Sequence, residues 1–263
     1  ARLRANVAAA GYGPEVQREA VREAGRMVAE LPWLWLRPRS RPLGALVQWQ
    51  GEQAIDDAIA AGRGLLFLTP HLGCFEVTAQ AFAERFGARA ELTAMYRPAH
   101  QAWLRETQRV ARDRPGLVTV PASMAGVRQM IRSLKAGQAV GLLPDQVPPE
   151  GMGVWAPFFG RPAYTMTLAA RLVQQTGAAL ILAWAERLPQ GRGYVLRVEP
   201  MVLPAPAATS VDLDADALLL SCASEINHAM ERLIAQRPGQ YLWGYFRHKP
   251  PQPFAARSAQ EPA

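Results

Sequence analysis

The chain has 263 residues, 49% hydrophobic and 19% charged, which supplies one sizeable core and is too apolar for a disordered chain. Its 21 glycines and 22 prolines follow no period, so a collagen-like chain is excluded, and no internal repeat is visible. The formal net charge is +7, and of the 29 basic Lys and Arg residues only Lys135 and Lys249 are lysines.

Arg pairs bidentately with phosphate, so the excess charge suits an anionic partner such as a lipid phosphate; a plain compositional bias explains it equally well. No basic run with interleaved aromatics and no nucleic-acid module signature occurs, so nucleic acid is not an expected partner. Two isolated cysteines, Cys74 and Cys222, make no disulfide framework and fit a reducing compartment. Nothing in the chain is long and apolar enough to span a bilayer. The start, Ala1-Arg2-Leu3-Arg4, lacks Met and reads as a cut edge, so a preceding N-terminal membrane anchor is expected.

In chain order, residues 14–30 alternate Val16, Ala20, Ala24, Met27 and Val28 with Glu and Arg, the pattern of an amphipathic helix opened by Pro14. Trp33 and Trp35 then precede Arg37, Arg39 and Arg41. That composition suits a membrane interface, or else a loop whose indoles pack on the core. A helix is expected over 52–60. The unbroken apolar run Leu65–Thr69 suits a strand buried on both faces, and Pro70 ends it. Further strands are expected over 92–96, 117–120, 139–143, 179–185 and 194–198. Helices are expected over 75–86, 100–113, 123–136, 165–176 and 213–236. Residues 200–206 read as a surface connector and the tail after Pro250 as disordered. Strands alternating with helices predict a single layered α/β domain over residues 1–250, a mixed, mostly parallel sheet flanked by helices.

The densest chemical signal is Thr69-Pro70-His71-Leu72-Gly73-Cys74-Phe75-Glu76. His71 lies just past a buried strand, where open α/β sheets place their ligand crevices. On one continuous helix, His71 and Glu76 would point about 140° apart, at about 100° per residue. With His71 in the turn and Glu76 in the first helical turn, the chain reverses at Gly73 and the two can meet. Such a pair makes a general base with an orienting carboxylate. No Gly-x-Ser-x-Gly elbow supplies a protein nucleophile, which suits direct attack by a substrate hydroxyl. A structural histidine beside a helix-capping Glu fits the spacing as well. Cys74 reads as a small buried thiol, since His-x-x-Cys alone lacks the further ligands a zinc ion needs, and no metal is expected. His100 and His228 read as structural or surface residues. Trp155, Phe158 and Phe159 suit either an acyl tunnel or plain core packing.

Taken with its context, Thr-Pro-His-x-Gly-x-x-Glu resembles the His-x4-Asp/Glu signature of glycerolipid acyltransferases, and more narrowly the bacterial late (lauroyl/myristoyl) lipid A acyltransferases. Met95-Tyr96-Arg97-Pro98, Leu142-Leu143-Pro144-Asp145-Gln146 and Gly153–Gly160 resemble that family's successive blocks. So do Thr165, Thr167, Arg171-Leu172, Thr176-Gly177-Ala178, Arg187…Gly193-Tyr194, and Gln240–Trp243 with Arg247 and Lys249. The likeness runs in order from about residue 2 to 250. Cys74-Phe75 stands where the family commonly has Asn-Trp, Tyr245 where His is usual, and His248 in place of an aromatic.

The resemblance implies a glycerolipid acyltransferase-like fold, with His71 as base and Glu76 orienting it. It places Arg97 and Asp145 at the cleft: Arg97 on a phosphate of acceptor or donor, Asp145 ordering Arg97 or binding a sugar hydroxyl. It implies an acyl donor on acyl carrier protein, or coenzyme A, with no other cofactor. The implied acceptor is a phosphorylated glycolipid, and the implied place of work the cytoplasmic face of the inner membrane. Acyl transfer to a lysophospholipid or ornithine lipid, and lipid binding without catalysis, are the competing readings.

Overall fold

The computed structural model describes residues 1–96, 101, 107–108, 110–112, 114–205 and 215–253. Nine strands are described: β1 (Val47–Gln50), β2 (Leu65–Leu68), β3 (Leu92–Tyr96), β4 (Leu117–Pro121), β5 (Ala139–Leu142), β6 (Gly153–Phe158), β7 (Arg161–Met166), β8 (Ala179–Arg187) and β9 (Tyr194–Met201). The helices are α1 (Arg2–Ala9), α2 (Pro14–Leu36), α3 (Gln53–Ala60), α4 (Phe75–Phe86), α5 (Met124–Lys135), α6 (Leu168–Thr176) and α7 (Ala215–Gln236).

Seven strands form one sheet in the order β1-β9-β8-β2-β5-β3-β4. Every neighbouring pair is parallel except β8 with β9, so the sheet is mixed and mostly parallel, as the alternating pattern required. The apolar runs are continuous because both faces are covered. Leu66 and Leu68 of β2 face a core shared with α5, α6 and α7, while Leu65 and Phe67 face a second core shared with α3 and α4. No described helix is long and apolar enough to cross a membrane.

Several elements depart from expectation. β1 is a four-residue edge strand with a half-buried face, too short to stand out in the sequence. Residues 161–166 are strand, not the start of the 165–176 helix, because β6 and β7 close into an antiparallel hairpin from Phe158↔Arg161 to Gly153↔Met166. α2 runs on through Pro32 to Leu36, so the tryptophans sit on a helix and not a loop. The membrane-facing role expected of Arg37 is overturned. Its side chain is 1% exposed and donates to Gln80 at 2.7 Å and Glu84 at 2.8 Å, a buried tie between the end of α2 and α4. Trp35 is half buried against the second core, while Trp33, Leu36 and Val28 stay exposed. The 100–113 helix falls largely outside the described residues, as do 206–214 and the tail beyond 253.

Candidate active site

β2 and β5 are parallel neighbours with Leu68 opposite Leu142, and the amide of Thr69 still donates to Leu142 at 3.0 Å. Each chain then leaves the sheet through a proline, Pro70 or Pro144, which cannot extend the ladder. His71 and Asp145 are the first reactive side chains after those prolines, and they meet. His71 Nδ1 lies 2.7 Å from Asp145 Oδ1, and the His71 backbone N–H donates to Oδ2 at 2.8 Å. Burial would raise the Asp145 pKa, but the ring and backbone contacts of His71, with the charge of Arg247, hold it below the usual carboxylate range. An ionised Asp145 accepts from Nδ1–H, which leaves the Nε2 lone pair outward, 3.1 Å from Gln146 Nε2. His71 is 14% exposed and Asp145 1%, so the pair opens to solvent only through the imidazole.

The expected His71–Glu76 pairing is not what the described contacts give. Glu76 lies in the first turn of α4 and its Oε1 accepts from Arg112 Nη2 at 2.6 Å. The guanidinium of Arg112 also lies over Tyr96, 5.5 Å from the ring centroid. Both ring nitrogens of His71 are taken by the 145–146 turn, so among the described residues the carboxylate that meets the ring is Asp145 and not Glu76. Arg97 lies outside the described residues. Arg112 and Gln146 were not singled out from the sequence. Gln146 adjoins Asp145 in the sequence, whereas nothing local marks Arg112 among 27 arginines.

The turn between His71 and α4 is pinned from two sides. Gly73 has φ +59°, and a Cβ there would sit 1.9 Å from the Ala185 carbonyl oxygen, so the turn requires glycine. Gly73 N donates to Gln240 O at 3.0 Å and Cys74 N to Ala185 O at 2.9 Å. Arg187, at the end of β8, reaches the Gly73 carbonyl and also holds Glu23 and Glu30 of α2. Burial and the neighbouring Glu30 push the Cys74 thiol well up, which suits packing and not nucleophilic work. Among the described residues, no group of three or more His, Cys, Asp or Glu side chains is placed to hold a metal ion.

An apolar pocket opens beside the pair, between α4 and the sheet. Phe75, whose ring packs edge-on against His71 at 4.9 Å, and Trp49 both line it. Gly141 and its register partner Ala94, with Ala183 of β8, present small side chains to it. Trp155, Phe158 and Phe159 do not line it. Trp155 is half exposed against Tyr164, while Phe158 and Phe159 belong to the opposite face.

Residues 5–249 match the family described as bacterial lipid A biosynthesis acyltransferase. The chain is 28% identical over 232 residues to the lipid A biosynthesis lauroyltransferase of Escherichia coli (strain K12), covering 86% of this chain and 68% of that protein. It is 24% identical over 235 residues to the lipid A biosynthesis palmitoleoyltransferase of the same organism, covering 88% and 70%. A lipid A biosynthesis acyltransferase of Shigella flexneri matches to the same extent.

Proposed function

Since the chain belongs to the bacterial lipid A biosynthesis acyltransferase family, we propose that it moves a fatty acyl group from an acyl carrier protein thioester to a hydroxyl of a lipid A precursor. The observation that carries the mechanism is the contact between His71 Nδ1 and Asp145 beside an apolar pocket.

In this reading the acceptor hydroxyl displaces the Gln146 amide and hydrogen-bonds Nε2 of His71. Nε2 takes the proton as the hydroxyl oxygen attacks the thioester carbonyl, and Asp145 stabilises the imidazolium that forms. The tetrahedral intermediate collapses with loss of the thiolate, which receives the proton back from His71. The products are an ester and the free thiol of the carrier. The acyl chain lies in the pocket under α4, which is too apolar for a headgroup. Glu76 fixes Arg112 at the crevice, where its guanidinium, with Arg97, meets a phosphate or the developing oxyanion.

The lipid acceptor places the work at a membrane surface, taken here as the cytoplasmic face of the inner membrane. Exposed Trp33 and Leu36, one turn apart on α2, with Arg41 just beyond, supply an apolar edge next to positive charge that suits contact with anionic lipid.

The test is a mass-spectrometric transfer assay. The protein is given acyl carrier protein thioesters of several chain lengths with a tetra-acylated lipid A precursor, a lysophospholipid and a lyso-ornithine lipid, beside the His71→Ala variant. One added acyl group on the lipid A precursor, absent with the variant, is the expected result. A gain confined to another lipid moves the acceptor assignment, and no gain on any lipid leaves a lipid-binding role in its place.

A further inference from the structure

An ionised carboxylate whose side chain is 1% exposed must be compensated by protein groups, because water does not reach it. His71 supplies two contacts to Asp145, from its ring and from its backbone N–H. Two further buried groups stand behind Asp145 that the mechanism does not use, Tyr241 and Arg247.

Backbone pairing puts Tyr241 there. Residues 240–242 run antiparallel against the catalytic turn, with Tyr241 opposite Leu72. Gly73 N donates to the Gln240 carbonyl at 3.0 Å and Leu242 N to the His71 carbonyl at 2.9 Å. The Gln240 side chain holds the end of β8 in turn, accepting from Arg187 N and donating to the Arg187 carbonyl, both at 2.9 Å. Tyr241 is 7% exposed and its ring packs edge-on against Trp243 at 4.8 Å. Its phenol faces inward, with Asp145 as side-chain partner.

Charge and burial agree with that placement. Burial first, then the charge of Asp145, push the Tyr241 phenol well up, against the pull of Arg247. The phenol therefore stays an O–H and offers its hydrogen to the carboxylate. Arg247 is 4% exposed. Its Nη atoms donate to the Tyr164 carbonyl and the Thr165 hydroxyl, both at 2.7 Å, and to Asn227 Oδ1 at 3.4 Å. These acceptors are neutral, and the carboxylate whose charge bears on this buried cation is Asp145. Asp145 thus faces His71 from the β2 turn, and Tyr241 and Arg247 from the 241–247 segment. Tyr245 bears on Tyr241 and Arg247, and its hydroxyl accepts from Val147 N at 2.9 Å.

A donor or a positive charge beside a carboxylate lowers its affinity for a proton. Asp145 backed in this way draws less strongly on the Nδ1 proton of His71 and stabilises an imidazolium less. The strength of Nε2 as a base then depends on groups that never touch the substrate.

We propose that Tyr241 and Arg247 are positioning residues that act through Asp145, keeping its carboxylate charged and setting how strongly it holds the Nδ1 proton of His71. The catalytic consequence rests on the acyl-transfer reading, but the first measurement needs no substrate. The ring nitrogens of the four histidines are followed by NMR against pH in the full chain, with His71 assigned by its loss in His71→Ala. Tyr241→Phe, which keeps the ring, and Arg247→Gln are titrated beside the parent, and circular dichroism checks that each is folded. The midpoint of the His71 ring should rise by about 0.5 pH unit or more in each variant. The acid limb of kcat/KM should move up by the same amount, with KM little changed. A midpoint that stays or falls in a folded variant would overturn the proposal. So would a lower rate with the acid limb unmoved, which is the mark of plain packing. Should neither variant fold, the parent decides: the Tyr241 hydroxyl proton should exchange slowly enough to be seen, and rapid exchange would overturn the assignment. A chain whose His71 midpoint moves as expected yet transfers no acyl group would sink the transfer reading and leave this tie standing.

Discussion

His71 and Asp145 each stand three residues past the register pair Leu68↔Leu142, and this equal overhang from two parallel strands brings Nδ1 within 2.7 Å of Oδ1. In the proposed mechanism the carboxylate fixes the tautomer that leaves Nε2 as the base. Asp145→Asn keeps the shape and loses both the charge and the tautomer preference. Its kcat should fall by about 10²–10⁴-fold with a smaller change in KM, and His71→Ala should match it. Steady-state kinetics on both, and on the double variant, check this. Because the two residues act as one unit, the double variant should be no worse than the poorer single one.

The same carboxylate makes stability depend on pH. Burial opposes its ionisation, but the His71 contacts win and the folded pKa lies below the usual carboxylate range. A group with a depressed folded pKa stabilises the fold above its unfolded pKa of about 3.9 and loses that contribution as pH falls through the folded value. Urea midpoints of the parent and of Asp145→Asn should therefore differ most at neutral pH and converge below about pH 4. A gap that stays constant into acid would mean Asp145 is not ionised in the folded chain.

Glu76 and Arg112 form a pair, with side chains 9% and 19% exposed. Glu76→Gln and Arg112→Gln should each lower kcat/KM by at least about tenfold. A double-variant cycle should give a coupling of about 1–3 kcal/mol. Strict additivity would show that Glu76 works on something other than Arg112.

Gly141 lines the apolar pocket proposed for the acyl chain, and a Cβ there would meet only Leu92 Cδ1, at an ordinary 3.6 Å. Gly141→Ala therefore narrows the pocket without forcing the backbone. The variant should shift preference toward shorter acyl donors, with each lost methylene contact worth about 1–3 kcal/mol in relative kcat/KM. Competition between donors of different length, read by mass spectrometry, measures it. An unchanged length profile would place the acyl chain elsewhere.

Much of the architecture was legible in the sequence because its signals are local. Leu65–Leu68 and Ala139–Leu142 are unbroken apolar runs, so they are strands covered on both faces, and helices between them make the sheet mostly parallel. The hairpin was less visible: Trp155 and Pro157 alternate with buried residues, but the Phe159-Gly160 turn uses a residue that ordinarily avoids a left-handed backbone.

The sequence by itself determined that His71 would follow a buried strand in a layered α/β domain, and which family the blocks resembled. Only the tertiary structure decided its partner. The nearest carboxylate along the chain is five residues away on a helix that carries it toward Arg112, whereas the one that meets the imidazole is 74 residues away. Strand pairing sets that choice, since parallel neighbours bring their C-terminal ends together whatever lies between them. The same holds for Arg37, whose place beside two tryptophans suited a membrane until Glu84 and Gln80 of α4 took it inside. A charge goes where its partners are, and distance along the chain does not fix where those partners lie.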